Sequence, residues 1–259
     1  MAMSTVNRFE ICDESWSRLY PKIKQIRGIY CADEQGLRRF LTGVLWILRS
    51  GAQWRILPKV YGAWNSVFKR FTRWCAKGIW VECFEIFASD ADLAEVSIDS
   101  SVIRAHACSA GYAGSCAADE ALGRSKGGHS CKIHGLCDAS GLPIKFILTG
   151  GQAADCKQAI PLLDGLDKAA LVAVLADKGY DSNAIREWLE DHRLKAVIPP
   201  KTNRKEAIDC DFVQYKERHV IECLFGKLKH YRRIATRYEK KAINYMGMLA
   251  FSPTLLWLR

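Results

Sequence analysis

The stretch EVSIDSSVIRAH, residues 95–106, marks a change in the hydrophobic pattern of the chain. Before it, apolar residues recur at helical spacing, whereas here apolar and polar residues alternate and β-branched residues are frequent. Alternation of this kind is typical of a β-strand with one face toward a core. We therefore expect a sheet-based domain to begin near residue 91, with Asp99 inside its first strand.

The residues after this strand predict a hairpin and then alternating helices and strands. Three early strands followed by alternating units are typical of the α/β class. The predicted segments are 129–138 and 142–150 (hairpin strands), 155–166 (a helix capped by Asp155), 170–177 (a buried strand), 182–192 (a helix capped by Ser182), 195–200 (a strand) and helices from about residue 211 onward.

Residues 1–90 predict helices. Leu37 to Gly51 and Ala63 to Gly78 both carry apolar residues at helical spacing and end in glycine. The second of these helices is basic, and Lys69, Arg70 and Arg73 lie largely off its apolar stripe. This order is compatible with a DNA-binding helix-turn-helix, and equally with a three-helix bundle that has a solvated basic face.

Composition and charge narrow the class of protein. The chain has 259 residues, a net charge of +10 and a pI near 9.1, which favours contact with nucleic acid or an acidic membrane surface. The sequence shows no signal peptide and no apolar run near the ~18 residues of a membrane span, so a cytoplasmic location is expected. The eleven cysteines form no C-x-x-C pair, and the six histidines do not group with them at zinc spacing.

Three carboxylates stand out by position. Asp99 lies within the first predicted strand, Asp177 ends the fourth, and Glu222 borders the apolar face of a basic helix, YKERHVIECLFGKLKHYRR, at residues 215–233. Each has an ordinary explanation, since turns favour Asp and Glu222 can pair with Arg218 at i,i+4. Together they would suit hard divalent cations, which prefer oxygen ligands and can activate a nucleophile against a phosphodiester.

The spacing of four residues resembles a known signature. Tyr215, Arg218, Glu222 and Lys229 match the Y-(2)-R-(3)-E-(6)-K pattern of DDE transposases. The stretches SIDSSVIRAH and LADKGYD resemble the segments that carry the first and second Asp of that family. Further stretches along nearly the whole chain are similar to transposases of bacterial insertion sequences in the family numbered five.

The resemblance implies a fold and an activity. It implies an RNase H-like catalytic domain at residues 91–259, a mixed five-stranded sheet with flanking helices, preceded by a small helical DNA-binding domain at residues 1–90. It further implies that Asp99, Asp177 and Glu222 are catalytic and hold two Mg²⁺ or Mn²⁺ ions. Such an enzyme cleaves DNA at the ends of its element and joins the freed 3′-hydroxyl to target DNA.

The resemblance also implies partners. Double-stranded DNA is expected, both the terminal inverted repeats of the element and the target, with a homodimer assembled on it and no membrane. A bacterial protein of this kind would be associated with the nucleoid. The residues expected to contact DNA are Arg218, Lys229, Tyr215, Arg232, Arg233, Lys69, Arg70 and Arg73.

One feature departs from the family pattern. LAFSPTLLWLR, residues 249–259, places Pro253 inside the expected C-terminal helix, where a proline removes a backbone hydrogen bond. The chain could end in a kinked helix, or it could be a decaying copy of the gene. Two alternatives to an active transposase therefore stand: a defective copy that only binds DNA, and an RNase H-like nuclease that cleaves without joining.

Overall fold

The computed structural model describes residues 9–29, 33–110, 116, 119–125, 127–204 and 208–258. Within them it has helices before, between and after the strands of one sheet. In chain order these are α1 (Asp13–Ile23), α2 (Glu34–Ser50), α3 (Trp64–Ala76), α4 (Ile79–Ala88), β1 (Glu95–Ala105), β2 (Gly123–Ser125), β3 (Gly128–Asp138), β4 (Pro143–Gly150), α5 (Cys156–Leu163), β5 (Ala173–Ala176), α6 (Asn183–Asp191), β6 (Lys195–Val197), α7 (Phe212–Tyr215), α8 (His219–Lys229), α9 (Arg232–Ala235), β7 (Thr236–Arg237) and α10 (Ala242–Trp257).

The sheet is mixed, as predicted. β1 is central: it pairs antiparallel with β3 and parallel with β5, and β5 pairs parallel with β6. The five predicted strands correspond to β1, β3, β4, β5 and β6. The described sheet also contains β2 and β7, two short strands that the sequence did not predict. They are too short to show the alternation that marks a strand.

Each face of the sheet packs against its own layer of helices. Val96 and Ile98 of β1 belong to a cluster with apolar residues of α5 and α6. The other face meets α8, whose Leu224 and Phe225 belong to a larger cluster. That larger cluster also includes residues of α1 to α4 and α10, so helices from both ends of the chain share one core. The division at residue 90 stays a prediction.

The helix around Pro253 is continuous. α10 runs from Ala242 to Trp257 and passes through the proline. A residue with an N–H at position 253 would donate to the carbonyl of Leu249. The hydroxyl of Ser252 donates to that carbonyl instead, at 3.0 Å, so the group that proline leaves unpaired is satisfied locally. Pro253 therefore does not end the helix that completes the core.

One of the two predicted N-caps, Ser182, is present in the structure, and the other, Asp155, is not. Ser182 caps α6, where its hydroxyl accepts from the N–H of Ile185. The prediction that Asp155 caps α5 is wrong, because its side chain makes no capping bond there. It bonds to β1 and β3 instead, where two side-chain donors are available. No helix in the described part of the chain is long and apolar enough to cross a membrane.

Candidate active site

The first two carboxylates are neighbours in the sheet. Ile98 pairs with Ala176 in the parallel register of β1 and β5, so Asp99 and Asp177 follow at the next position. Adjacent strands lie about 4.8 Å apart, and side chains alternate between the faces of a strand. Both residues therefore emerge on the face that α8 covers, at the carboxyl end of β5. This is the edge at which α/β sheets commonly build their sites.

Asp99 is held by two donors. Its Oδ1 accepts from the N–H of Ser100 at 2.7 Å, and its Oδ2 accepts from Nη1 of Arg218 at 3.0 Å. Burial raises the pKa of the Asp99 carboxyl above its usual range, although both bonds act in the opposite direction. The charge of Asp177 adds to the increase. Burial and a neighbouring negative charge both disfavour the ionised form of Asp99, so a further cation would stabilise it.

A tight turn fixes Asp177. The residue caps the 3₁₀ turn Lys178–Tyr180, and its Oδ1 accepts from the N–H of Gly179 at 2.8 Å. A Cβ at Gly179 would lie 2.9 Å from that same oxygen, so only glycine fits without a shift. The turn leaves the carboxylate at the sheet edge, next to Asp99.

α8 carries Glu222, which Arg218 links to Asp99. The segment predicted as one continuous helix consists of α7, a 3₁₀ turn at Lys216–Arg218, α8 and α9. The close approach of α8 depends on Gly135, the partner of Asp99 in β3. A Cβ at Gly135 would lie 3.1 Å from the ring of Phe225, so the glycine makes room for the α8 aromatic ring. Glu222 stands three residues earlier on α8, near the aspartates.

Arg218 links two of the three acids. Its guanidinium donates to Asp99 and, through Nη2, to Glu222, which confirms the predicted i,i+4 pair. The Arg218 side chain is 12% exposed, and that of Glu222 is 58% exposed. Burial lowers the pKa of the guanidinium, but the charge and hydrogen bond of Asp99, together with the charges of Tyr215 and Glu222, outweigh burial and the pKa is raised. The arginine thus supplies positive charge between the acids.

The donor set suits a hard divalent cation, because all three groups offer carboxylate oxygens. In the described residues, no three His, Cys, Asp or Glu side chains converge closely enough to hold a metal ion. Arg218 occupies Oδ2 of Asp99 and Oε1 of Glu222, two oxygens that a cation could otherwise use.

The other predicted contacts near the site differ in exposure. Lys229 and Arg232 are exposed, and Tyr215 is half-buried with the Arg218 guanidinium 5.7 Å from its ring centre. Arg233, by contrast, is buried: it donates to Glu239 at 2.7 Å and to the carbonyl of Ala52. A buried and paired arginine cannot reach DNA without breaking these bonds, so Arg233 has a structural role.

The basic residues of α3 lie in a different part of the sequence from the three acids. Lys69 and Arg73 are exposed, while Arg70 packs its guanidinium 4.3 Å from the ring centre of Phe40. A pocket of about 450 Å³ is lined by Arg70, Arg73 and Lys77, together with Gly28 and Trp74. Lys77, just after the end of α3, also lies off the apolar stripe of the sequence, as Lys69, Arg70 and Arg73 do.

Two family models match the chain. One, described as "Transposase DDE domain", matches residues 91–251. The other, described as "Putative transposase of IS4/5 family (DUF4096)", matches residues 11–84. Together they cover most of the described residues, and the first contains Asp99, Asp177 and Glu222.

Individual relatives carry matching names. A Brucella ovis protein named "Putative transposase for insertion sequence element IS6501" is 42% identical over 130 residues, 49% of this chain and 98% of that protein. A Neisseria meningitidis protein named "Transposase for insertion sequence element IS1106" is 36% identical over 126 residues, 47% of this chain and 41% of that protein. A solved piggyBac transposase synaptic complex with hairpin DNA has a TM-score of 0.42 and 13% identity, over 78% of this chain and 51% of that one.

Proposed function

This chain belongs to the DDE transposase family, and we propose that Asp99, Asp177 and Glu222 are the catalytic acids with which it cleaves and joins DNA. The observation that supports this most directly is the register of β1 and β5, which sets the two aspartates side by side on the face of α8. Glu222 joins them through Arg218. Three separate parts of the chain thus supply an acid near the end of β5, and the acids would have to converge further for all three to hold one ion.

A DDE domain uses divalent metal in general, and we propose Mg²⁺ or Mn²⁺ as the ions here. Asp99, Asp177 and Glu222 would hold two such ions, which supply activation of a water or 3′-hydroxyl and stabilisation of the leaving oxygen of a phosphodiester. Ser100 and Gly179 hold the two aspartates in place through their backbone N–H groups. Relatives of this chain are transposases, whose substrate is DNA.

Arg218 has two possible partners of the same charge. A guanidinium binds carboxylate and phosphate oxygens with the same fork geometry. We propose that Arg218 exchanges a carboxylate for a DNA phosphate when the acids bind metal. Exposed Lys229 and Arg232, on the neighbouring surface, would hold the backbone of the same DNA end.

We propose the terminal inverted repeats of the element as the DNA that is bound and cleaved, with Tyr215 near the cleaved end and Lys69, Arg70 and Arg73 of α3 as a second contact. Both ends of an element must be processed together, so a homodimer on DNA is the assembly we propose. An enzyme with this substrate would be found on the bacterial nucleoid.

The test uses a labelled duplex made from the inverted repeats that flank the coding sequence. We expect nicking at the repeat tip in Mg²⁺ or Mn²⁺, none in EDTA, and none with Glu222→Ala, which should bind the duplex as the wild type does. Glu217→Ala is the matched control, because it removes the same charge from an exposed position just before Arg218. It should nick normally.

The other outcomes select the alternatives. Binding without nicking in either metal would indicate a defective copy that acts only as a DNA-binding protein. Nicking without transfer of the 3′-end to a second duplex would indicate a nuclease that cannot join. Equal nicking by Glu222→Ala and the wild type would show that Glu222 is not catalytic.

A further inference from the structure

A group of polar side chains lies behind Asp99, on the opposite face of β1. Ser100 points to this face because side chains alternate along a strand. Its partner in the antiparallel register is His134, and Lys132 lies two residues away on the same face of β3. Asp155, just before α5, reaches the same position. We call Ser100, Lys132, His134 and Asp155 the rear cluster.

One oxygen joins the cluster. Oδ1 of Asp155 accepts from Oγ of Ser100 at 2.7 Å and from Nζ of Lys132 at 2.9 Å. Lys132 also donates to the carbonyl of Ala153 at 2.7 Å. The Lys132 side chain is only 10% exposed, so its charge depends on Asp155 for compensation.

His134 contributes packing and a hydrogen bond to the rear cluster, but no charge. The side chain is fully buried, and burial lowers its pKa to about 4, which keeps the imidazole neutral near pH 7. Its Nε2 lies 2.8 Å from Oγ1 of Thr149, and its Nδ1 lies 3.7 Å from Oδ1 of Asp155. Lys132 and Asp155 are therefore the two charged members of the rear cluster, and they balance each other.

The rear cluster connects to the acid on the other face through Ser100. The Ser100 hydroxyl donates to Asp155, while the Ser100 N–H donates to Oδ1 of Asp99 at 2.7 Å. The series Lys132, Asp155, Ser100, Asp99 thus crosses the sheet through three hydrogen bonds and the covalent frame of Ser100. A shift of Ser100 would move the donor that orients the Asp99 carboxylate.

Near Asp99 and Ser100, β1 is hydrogen-bonded along only one edge to a neighbouring strand of the described chain. The pairing of β1 with β5 ends at Ile98, and pairing with β7 begins only at Arg104. Between those two residues β1 has β3 as its neighbour on one side. A strand paired along one edge holds its backbone less firmly, and Asp99 and Ser100 lie in this segment.

We propose that Asp155 is a positioning residue for Asp99, acting through the Ser100 hydroxyl, so that the rear cluster sets how well the acids bind a divalent cation. The inference rests on the proposed function of Asp99. Stability alone does not require such a cluster, since apolar residues often replace a buried ion pair without loss.

The experiment compares Ser100→Ala and Asp155→Asn with the wild type in two assays. The first is Mn²⁺ binding to the protein without DNA, by isothermal titration calorimetry, and the second is nicking of the repeat duplex with kcat and KM determined separately. Loss of a bond that orients a metal ligand weakens affinity or activity about tenfold or more. We expect that loss in Mn²⁺ affinity and in kcat for both variants, with KM for the duplex unchanged.

Ser100→Ala is the deciding variant, because it removes one bond and leaves the Lys132–Asp155 pair in place. Ser100→Thr keeps a hydroxyl and should retain wild-type Mn²⁺ affinity. Ser101→Ala, the same substitution at the next residue and on the other face, is the matched control and should also bind Mn²⁺ normally.

Ser100→Ala with wild-type Mn²⁺ affinity and kcat would overturn the inference. If Asp155→Asn alone then lost Mn²⁺ affinity, Asp155 would act on the metal site by a route other than Ser100. Asp177→Asn separates this question from the proposed function: if it binds Mn²⁺ as the wild type does, the proposed metal site itself is wrong, whatever Ser100→Ala does.

Discussion

Asp99 and Asp181 lie at the same end of the sheet and have opposite surroundings. The Asp99 side chain is 22% exposed and has one arginine, which it shares with Glu222. The Asp181 side chain is 1% exposed and accepts from Nε of Arg186, Nε of Arg204 and the N–H of Lys201 at 2.7 to 2.9 Å. Asp99 can therefore accept a further cation, whereas both oxygens of Asp181 are already fully hydrogen-bonded.

The pKa directions follow from that difference. Burial raises the pKa of Asp99, and its few bonds do not reverse the change. Burial acts the same way on Asp181, but the donors from Arg204, Lys201 and Arg186 outweigh it and bring the pKa well below its usual range. Asp181 is fully bonded and serves the fold, whereas Asp99, the acid proposed for chemistry, has a raised pKa of the kind that clusters at functional sites.

The largest expected effect is on activity. Asp99→Asn keeps the shape of the side chain but removes a proposed metal ligand, so metal-dependent nicking should fall by at least about 10²-fold, the scale of removing one electrostatic group from an active site. Thermal stability should change little. If folded Asp99→Asn nicked DNA at the wild-type rate, Asp99 would not be catalytic and would not differ from Asp181 in this respect.

The same substitution at Asp181 should act on stability. Asp181→Asn leaves Arg186 and Arg204 without their buried partner, which typically costs about 3–5 kcal/mol. Urea unfolding followed by circular dichroism measures this. The fraction that remains folded should nick at the wild-type rate, and a loss of nicking larger than the loss of folded protein would place Asp181 in the site.

Arg218→Gln tests whether Arg218 competes with a metal ion for Asp99 and Glu222. Removing the guanidinium frees Asp99 and Glu222, so Mn²⁺ affinity without DNA should rise roughly fivefold, because a partly exposed ion pair is worth up to ~1 kcal/mol. Nicking should fall, since the proposed phosphate contact is lost. Calorimetry and the duplex assay measure the two changes, and unchanged Mn²⁺ affinity would show that Arg218 does not compete with the metal.

The smallest expected effect is on the pH dependence of stability. Asp181 binds its proton less tightly when folded, so its contribution is complete above about pH 4 and is lost as the pH falls toward its folded pKa. Asp99 has the opposite sign: it destabilises the fold above its raised pKa, and lowering the pH relieves this. Acid titrations followed by fluorescence should show the slope change in opposite directions for Asp181→Asn and Asp99→Asn.

Local patterns predicted most elements but not their interruptions. β1 and the hairpin of β3 and β4 follow from alternation, and Gly51 ends α2 in the left-handed conformation that a glycine stop signal implies. The 3₁₀ turn at Lys216–Arg218 was missed, because it contains neither Gly nor Pro and shifts the helical period only slightly.

Side-chain roles were harder to predict than elements. Arg232 and Arg233 are adjacent basic residues, but one is exposed and the other is buried against Glu239. Asp155 precedes a helix, as a cap does, yet its partners lie on β1 and β3. Glu239 lies six residues from Arg233, but the other partner of Arg233, Ala52, and both partners of Asp155 are distant in sequence.

Local sequence patterns predict the class of fold and single out Asp99, Asp177 and Glu222, because alternation, helical period and the spacing from Tyr215 to Lys229 are properties of short stretches of chain. The bonds that hold those acids depend on tertiary contacts. Arg218 and Asp99 are 119 residues apart, and Ser100 and Asp155 are 55 apart. Contacts across such separations depend on the register of β1 and on the docking of α8, which no local pattern specifies.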